Sequence, residues 1–77
     1  MEINDFLNKF KEQFVDVESI QLTIDDDFRI VDSYDSLTGM AILVMIKDEF
    51  GVDLTDEEYK KLHSVKSVYE YLNSKIK

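Results

Sequence analysis

The 77-residue chain has no cysteine and no proline, only two glycines, and nine bases against seventeen acids. Without cysteine there are no disulfides, no thiolate metal sites and no protein thiol, so the hydrophobic core alone must hold the fold. Any thioester has to come from an added group. The single histidine, His63, has no second histidine or cysteine to build a metal site with. It reads as a surface or capping residue. Long apolar runs are also missing: the longest, Met40 to Ile46, is far short of the about 20 residues a membrane span needs. The start, MEINDF, carries acids and lacks the basic segment of a signal peptide. The chain therefore reads as soluble and cytoplasmic, with no membrane insertion.

Size and charge exclude more. A chain this short buries only about 60% of its unfolded surface, and a catalytic pocket of roughly 300–1,000 Å³ would empty most of the core. No nucleophile–base pair can be assembled, so an enzyme is not expected. A net charge of −8 disfavours nucleic acid, whose binding depends on basic groups displacing counterions. A basic protein surface is the natural complement. Residues 1–59 hold sixteen acids and four bases, while residues 60–77 hold one acid and five bases.

With no linker, repeat or low-complexity stretch, residues 1–77 read as one domain. Ile3, Phe6, Leu7, Phe10 and Phe14 fall at helical spacing, with Asn4 or a neighbour able to start the helix. A second helix is expected from near Ser36 to Phe50, apolar nearly all round, and stopped by Gly51 at a positive-φ position. Thr55-Asp56-Glu57-Glu58 is a capping box opening a short third helix through about Leu62. Ser64 caps a last helix carrying Val65, Val68, Tyr69 and Leu72, with Ile76 one turn on.

Between Val15 and Asp35, Ile20, Leu22 and Ile24 alternate, as do Phe28 and Ile30, around Asp25-Asp26-Asp27. A β-hairpin is possible, but the turn lacks glycine. A long loop is favoured, pinned by Ile24, Phe28 and Ile30. The three aspartates lack the alternating ligands, glycine and terminal glutamate of a calcium loop, so they read as a solvated turn.

Ser36 is the remaining chemical signal. A serine at a helix N-terminus is exposed and meets backbone N–H groups that favour a phosphate, although serine at such a place commonly just caps the helix. Its context is more specific. Asp35-Ser36-Leu37, then thirteen residues ending Lys47-Asp48-Glu49-Phe50, then Val52-Asp53-Leu54, the Thr55–Glu58 box and Val65 to Leu72 resemble an acyl carrier protein. The resemblance covers residues 28 to 72 well and the first helix loosely.

It implies an all-α four-helix bundle with a long first loop and a short third helix. It also implies that Ser36 takes 4′-phosphopantetheine from coenzyme A, its hydroxyl attacking the β-phosphorus under a Mg²⁺-dependent phosphopantetheinyl transferase. Acyl groups would ride on the arm's thiol to acyl-loading and acyl-processing enzymes with basic docking surfaces. Asp35 would guide the transferase. Leu37, Met40 and Val44 match partner-facing positions on one helix face, with Asp48 and Glu49 as the acids retained beside them. Phe28, Ile46, Leu54, Tyr59, Leu62, Val68 and Tyr71 match positions lining an acyl cavity, which the Tyr59 ring would shorten unless it points to solvent.

Departures from the family pattern are Ser33 for a usual glycine, Tyr34 beside it, and Thr38, Ala41 and Lys47 at positions usually acidic. They point to a specialised rather than housekeeping carrier. The chain is expected to be a monomer. The alternative is an acidic helical interaction module without a prosthetic group.

Overall fold

A computed structural model describes residues 1–76. Its helices are α1 (Ile3–Lys11), α2 (Ser36–Phe50), α3 (Asp56–Lys60) and α4 (Val65–Lys75), with a single 3-10 turn at Phe28–Ile30 in the loop after α1. No strand occurs among the described residues. The protein has the all-α architecture expected, with the long first loop and the short third helix.

Helix α1 buries Phe6 and Phe10. Its N-cap is Glu2, not Asn4 or a neighbour of it, and the Glu2 side chain makes no capping bond. The start of α1 is thus set by the packing of its aromatic face rather than by a cap. Phe14 lies beyond the helix yet stays buried. Tightened i→i+3 bonds from Gln13 N–H to the Phe10 carbonyl (3.2 Å) and from Phe14 N–H to the Lys11 carbonyl (3.0 Å) keep it turned inward. Phe6 meets Phe50 of α2 edge-on at 5.4 Å and Tyr69 of α4 at 5.6 Å, and Phe10 meets Phe28 at 4.8 Å. One aromatic row therefore ties α1, α2, α4 and the loop together.

The later helices end where their local chemistry says they should. Gly51 closes α2 at φ 68° and donates to the Lys47 carbonyl at 2.8 Å. Thr55 and Glu58 form the reciprocal box at 3.1 and 3.0 Å. Helix α3 stops at Lys60, and Lys61 and Leu62 continue only as i→i+3 turns. Ser64 and Ser67 make a second box at the start of α4.

The loop forms no hairpin. Asp26 accepts from Thr23 N–H at 3.0 Å and Asp27 accepts from Arg29 N–H at 2.9 Å, so these aspartates cap turns. Lys66 N–H donates to the Ile24 carbonyl (2.9 Å) and Phe28 N–H to the His63 carbonyl (3.0 Å). Phe28 and Leu22 are buried and Ile24 packs against the core, but Ile30 is 77% exposed and pins nothing. The 3-10 turn explains this, because residues three apart eclipse there. Phe28 and Val31 share the inner face, and Ile30 is turned to solvent.

Candidate functional site

Asp35 and Ser36 are both good cap formers, and the structure gives the cap to Asp35. Its backbone is extended and its carboxylate accepts from Thr38 N–H at 2.8 Å. That hydrogen bond holds the Asp35 carboxyl below its usual range. Ser36 becomes the first helical residue and is exposed. Its hydroxyl thus projects at the N-terminus of a 15-residue helix, where free N–H groups and the helix dipole favour an anion. A phosphodiester at Ser36 fits this position: the oxygen is accessible and no role in the cap competes for it.

Leu37, Met40 and Val44 are 74%, 63% and 60% exposed. Their spacing aligns them on the solvent face of α2, opposite the buried Thr38, Gly39, Ile42, Met45 and Ile46. Asp48, four residues beyond Val44, continues this stripe and is exposed. Glu49 departs from it: it pairs with Lys9 of α1 at 2.8 Å, on the flank that faces the bundle. Thr38 is buried, on the opposite side of α2 from this stripe. Lys47 pairs at the surface with Asp53 at 3.2 Å. His63 is exposed, 3.9 Å from Asp27.

The residues expected to line a cavity separate into groups. Phe28, Ile46, Val68 and Tyr59 are buried in the core, and Leu54 and Leu62 pack partly against it. Tyr71 does not join them. It is only part-buried, its hydroxyl donates to Glu58, and the Lys75 ammonium lies 5.5 Å from its ring. Hydrogen bonds from Tyr71, the Thr55 backbone and Lys75 lower the Glu58 carboxyl to about 2. Tyr71 is therefore a clasp between α3 and α4, on the outside of the bundle.

Tyr59 points inward, 7% exposed, stacked on Phe28 at 5.9 Å. Burial, then the bond to Tyr34, pushes its phenol up. Around it lies a cluster the sequence did not announce. The Tyr34 and Tyr59 hydroxyls are 3.0 Å apart. The guanidinium of Arg29, the only arginine in the chain, lies 4.6 Å from the Tyr59 ring centre, 5.2 Å from Phe28 and 5.9 Å from Tyr34. It donates to the carbonyls of Tyr59 (2.6 Å) and Leu62 (3.3 Å) and to the Tyr34 hydroxyl (3.4 Å). Gly39, one turn after Ser36, admits the Tyr34 hydroxyl, which lies 2.8 Å from where a Cβ would stand. The sequence singled out the Tyr34 and Tyr59 rings but carried no sign that Arg29 joins them.

Among the described residues no group of acids, histidines or cysteines is arranged to hold a metal, and no helix is long and apolar enough to cross a membrane.

The chain matches, over residues 6–72, a family described as "Phosphopantetheine attachment site". An acyl carrier protein of Treponema pallidum is 31% identical over 62 residues, which is 80% of this chain and 80% of that protein. The "Polyketide-8 synthase acyl carrier protein 2" of Streptomyces avermitilis is 31% identical over 70 residues, 91% of this chain and 80% of its own length. An acyl carrier protein of Thermosynechococcus vestitus is 38% identical over 42 residues, 54% of this chain and 52% of that one.

Proposed function

Because the chain belongs to the phosphopantetheine-attachment family and is an acyl carrier rather than an enzyme, we propose that Ser36 is the residue that bears its 4′-phosphopantetheine arm. The observation that carries this is the division of labour at the start of α2: Asp35 caps, and Ser36 is left exposed at the first helical position. When bound, the arm supplies the thiol that the cysteine-free chain lacks, and with it thioester chemistry. The chain's own contribution is to orient the attachment oxygen and to stabilise a phosphodiester by the helix N-terminus. Asp35, fixed by Thr38 N–H, presents a carboxylate to the transferase.

Leu37, Met40 and Val44 form the contact surface for partner enzymes, an apolar strip with Asp48 at its edge. Acyl-loading and acyl-processing enzymes with basic surfaces suit this face, and the chain acts as a monomer. Glu49, held by Lys9, contributes little to it. Thr38 buried, Ala41 apolar and Lys47 basic support a carrier specialised for a dedicated pathway. Comparable turnover by a housekeeping ketosynthase on this chain and on its own carrier would refute that specialisation.

The attachment site is tested by incubating the chain with coenzyme A, Mg²⁺ and a promiscuous phosphopantetheinyl transferase, then measuring the intact mass. Gain of one phosphopantetheine, lost in Ser36→Ala, is expected. No gain with Ser36 accessible favours the acidic interaction module instead, and a gain that survives in Ser36→Ala moves the site elsewhere.

A further inference from the structure

The space beneath the first turn of α2 is closed by polar aromatic groups rather than by aliphatic side chains. Tyr34 and Tyr59, from segments 25 residues apart, meet hydroxyl to hydroxyl. Arg29 lies against both rings and donates to the Tyr59 and Leu62 carbonyls, in the turn that follows α3. At Gly39 the packing is so close that the Tyr34 hydroxyl lies 2.8 Å from where a Cβ would stand.

We propose that the Arg29–Tyr34–Tyr59 cluster is a specificity determinant that keeps the acyl cargo outside the protein body. The proposal rests on Ser36 as the attachment point. A chain entering beneath α2 from Ser36 must part the two tyrosines and draw Arg29 off the carbonyls it satisfies. Buried donors and acceptors are then left unpaired. Arg29 Nε is already buried without a partner, so each further bond lost by the guanidinium adds to an existing deficit. Phe28, Tyr59 and Tyr34 pack ring against ring at 5.8–5.9 Å, so the residues expected to line a cavity act here as filling. A carrier built this way suits short acyl groups, because a long alkyl chain left in water forfeits the burial of each methylene.

The test uses the full chain converted to the phosphopantetheinylated form and loaded with butanoyl, octanoyl or dodecanoyl groups. Melting temperature and the NMR shifts of Ile42, Ile46 and Val68 are then recorded. The expected result is one melting temperature, within about 1 °C, for all three cargoes and unmoved core signals. A rise of about 4 °C or more with dodecanoyl, with the core signals shifting, overturns the proposal while leaving Ser36 as the attachment point. A chain that takes no arm at all overturns both. Tyr59→Ala should acquire length-dependent stabilisation. Should that variant not fold, the combined Arg29→Met and Tyr34→Phe change keeps the volume and removes the polar ties. A folded variant that still gains nothing from dodecanoyl refutes the assignment to these residues.

Discussion

Replacing Gly39 by alanine places a methyl group 2.8 Å from the Tyr34 hydroxyl and 3.8 Å from the Tyr59 ring. In an ordinary helix interior this substitution is favourable by about 1 kcal/mol. Here the hydroxyl must retreat, and it is held by Tyr59 at 3.0 Å and Arg29 at 3.4 Å. Overpacking of a filled core costs about 1–3 kcal/mol, and leaving the partner hydroxyl unsatisfied costs about as much again. The balance is a net loss of about 1–5 kcal/mol. For a domain of this size each 1 kcal/mol lowers the melting temperature by about 4–8 °C.

The same substitution in a Tyr34→Phe background should reverse sign. Without the hydroxyl, the nearest tyrosine atom is the ring carbon 3.5 Å away, an ordinary contact, and the helix gain of about 0.5–1 kcal/mol survives. Urea unfolding of the four proteins closes a double-mutant cycle with an expected coupling of about 2 kcal/mol or more. If Gly39→Ala stabilises both backgrounds equally, the packing argument at Tyr34 is wrong, and with it the account of why this position holds glycine.

Asp35→Ala should cost about 1 kcal/mol through loss of the cap and also slow arm attachment. Asp35→Asn should keep the stability and lose only the attachment rate, and equal rates for Asn and Asp would remove the charge from recognition. Ile46→Ala should destabilise by about 2–5 kcal/mol, whereas Leu37→Ala should stay within about 0.5 kcal/mol and raise the KM of partner enzymes. Matching effects in the two variants would contradict the assignment of buried and docking faces on α2. Glu58 titrates near 2 in the folded chain against an ordinary 4.5, so the unfolded chain takes up its proton first. Its contribution is complete above pH 4.5 and disappears as pH falls toward 2. Glu58→Gln should therefore flatten the acid limb of stability in that window, and an unchanged slope by urea titration would refute the Tyr71–Lys75 clasp as its cause.

The helices were readable because their signals act within a turn or two of chain. Thr55 and Glu58 are three residues apart, Gly51 directly follows Phe50, and Ser64 directly precedes Val65; backbone propensity and capping are complete at that range. Attachment at Ser36 was proposed from order and spacing for the same reason. What failed at short range was a matter of choice between equals. Asp35 and Ser36 are interchangeable caps on paper, and only the extended backbone at Asp35 makes it the cap. Ile30 and Phe28 looked alike as anchors until a 3-10 turn set them on different faces.

The sequence by itself determined the helical segments, the acidic charge, the want of a thiol and the place of a serine at the start of α2, because each depends on neighbouring residues or on composition alone. Tertiary structure decided the rest. Glu49 pairs with Lys9 across the surface between α1 and α2, Tyr71 clasps Glu58 rather than entering the core, and Arg29 reaches Leu62 across 33 residues behind Ser36. These outcomes depend on which surfaces are pressed together when the bundle closes, and no local pattern encodes the partner a side chain meets from a distant part of the chain.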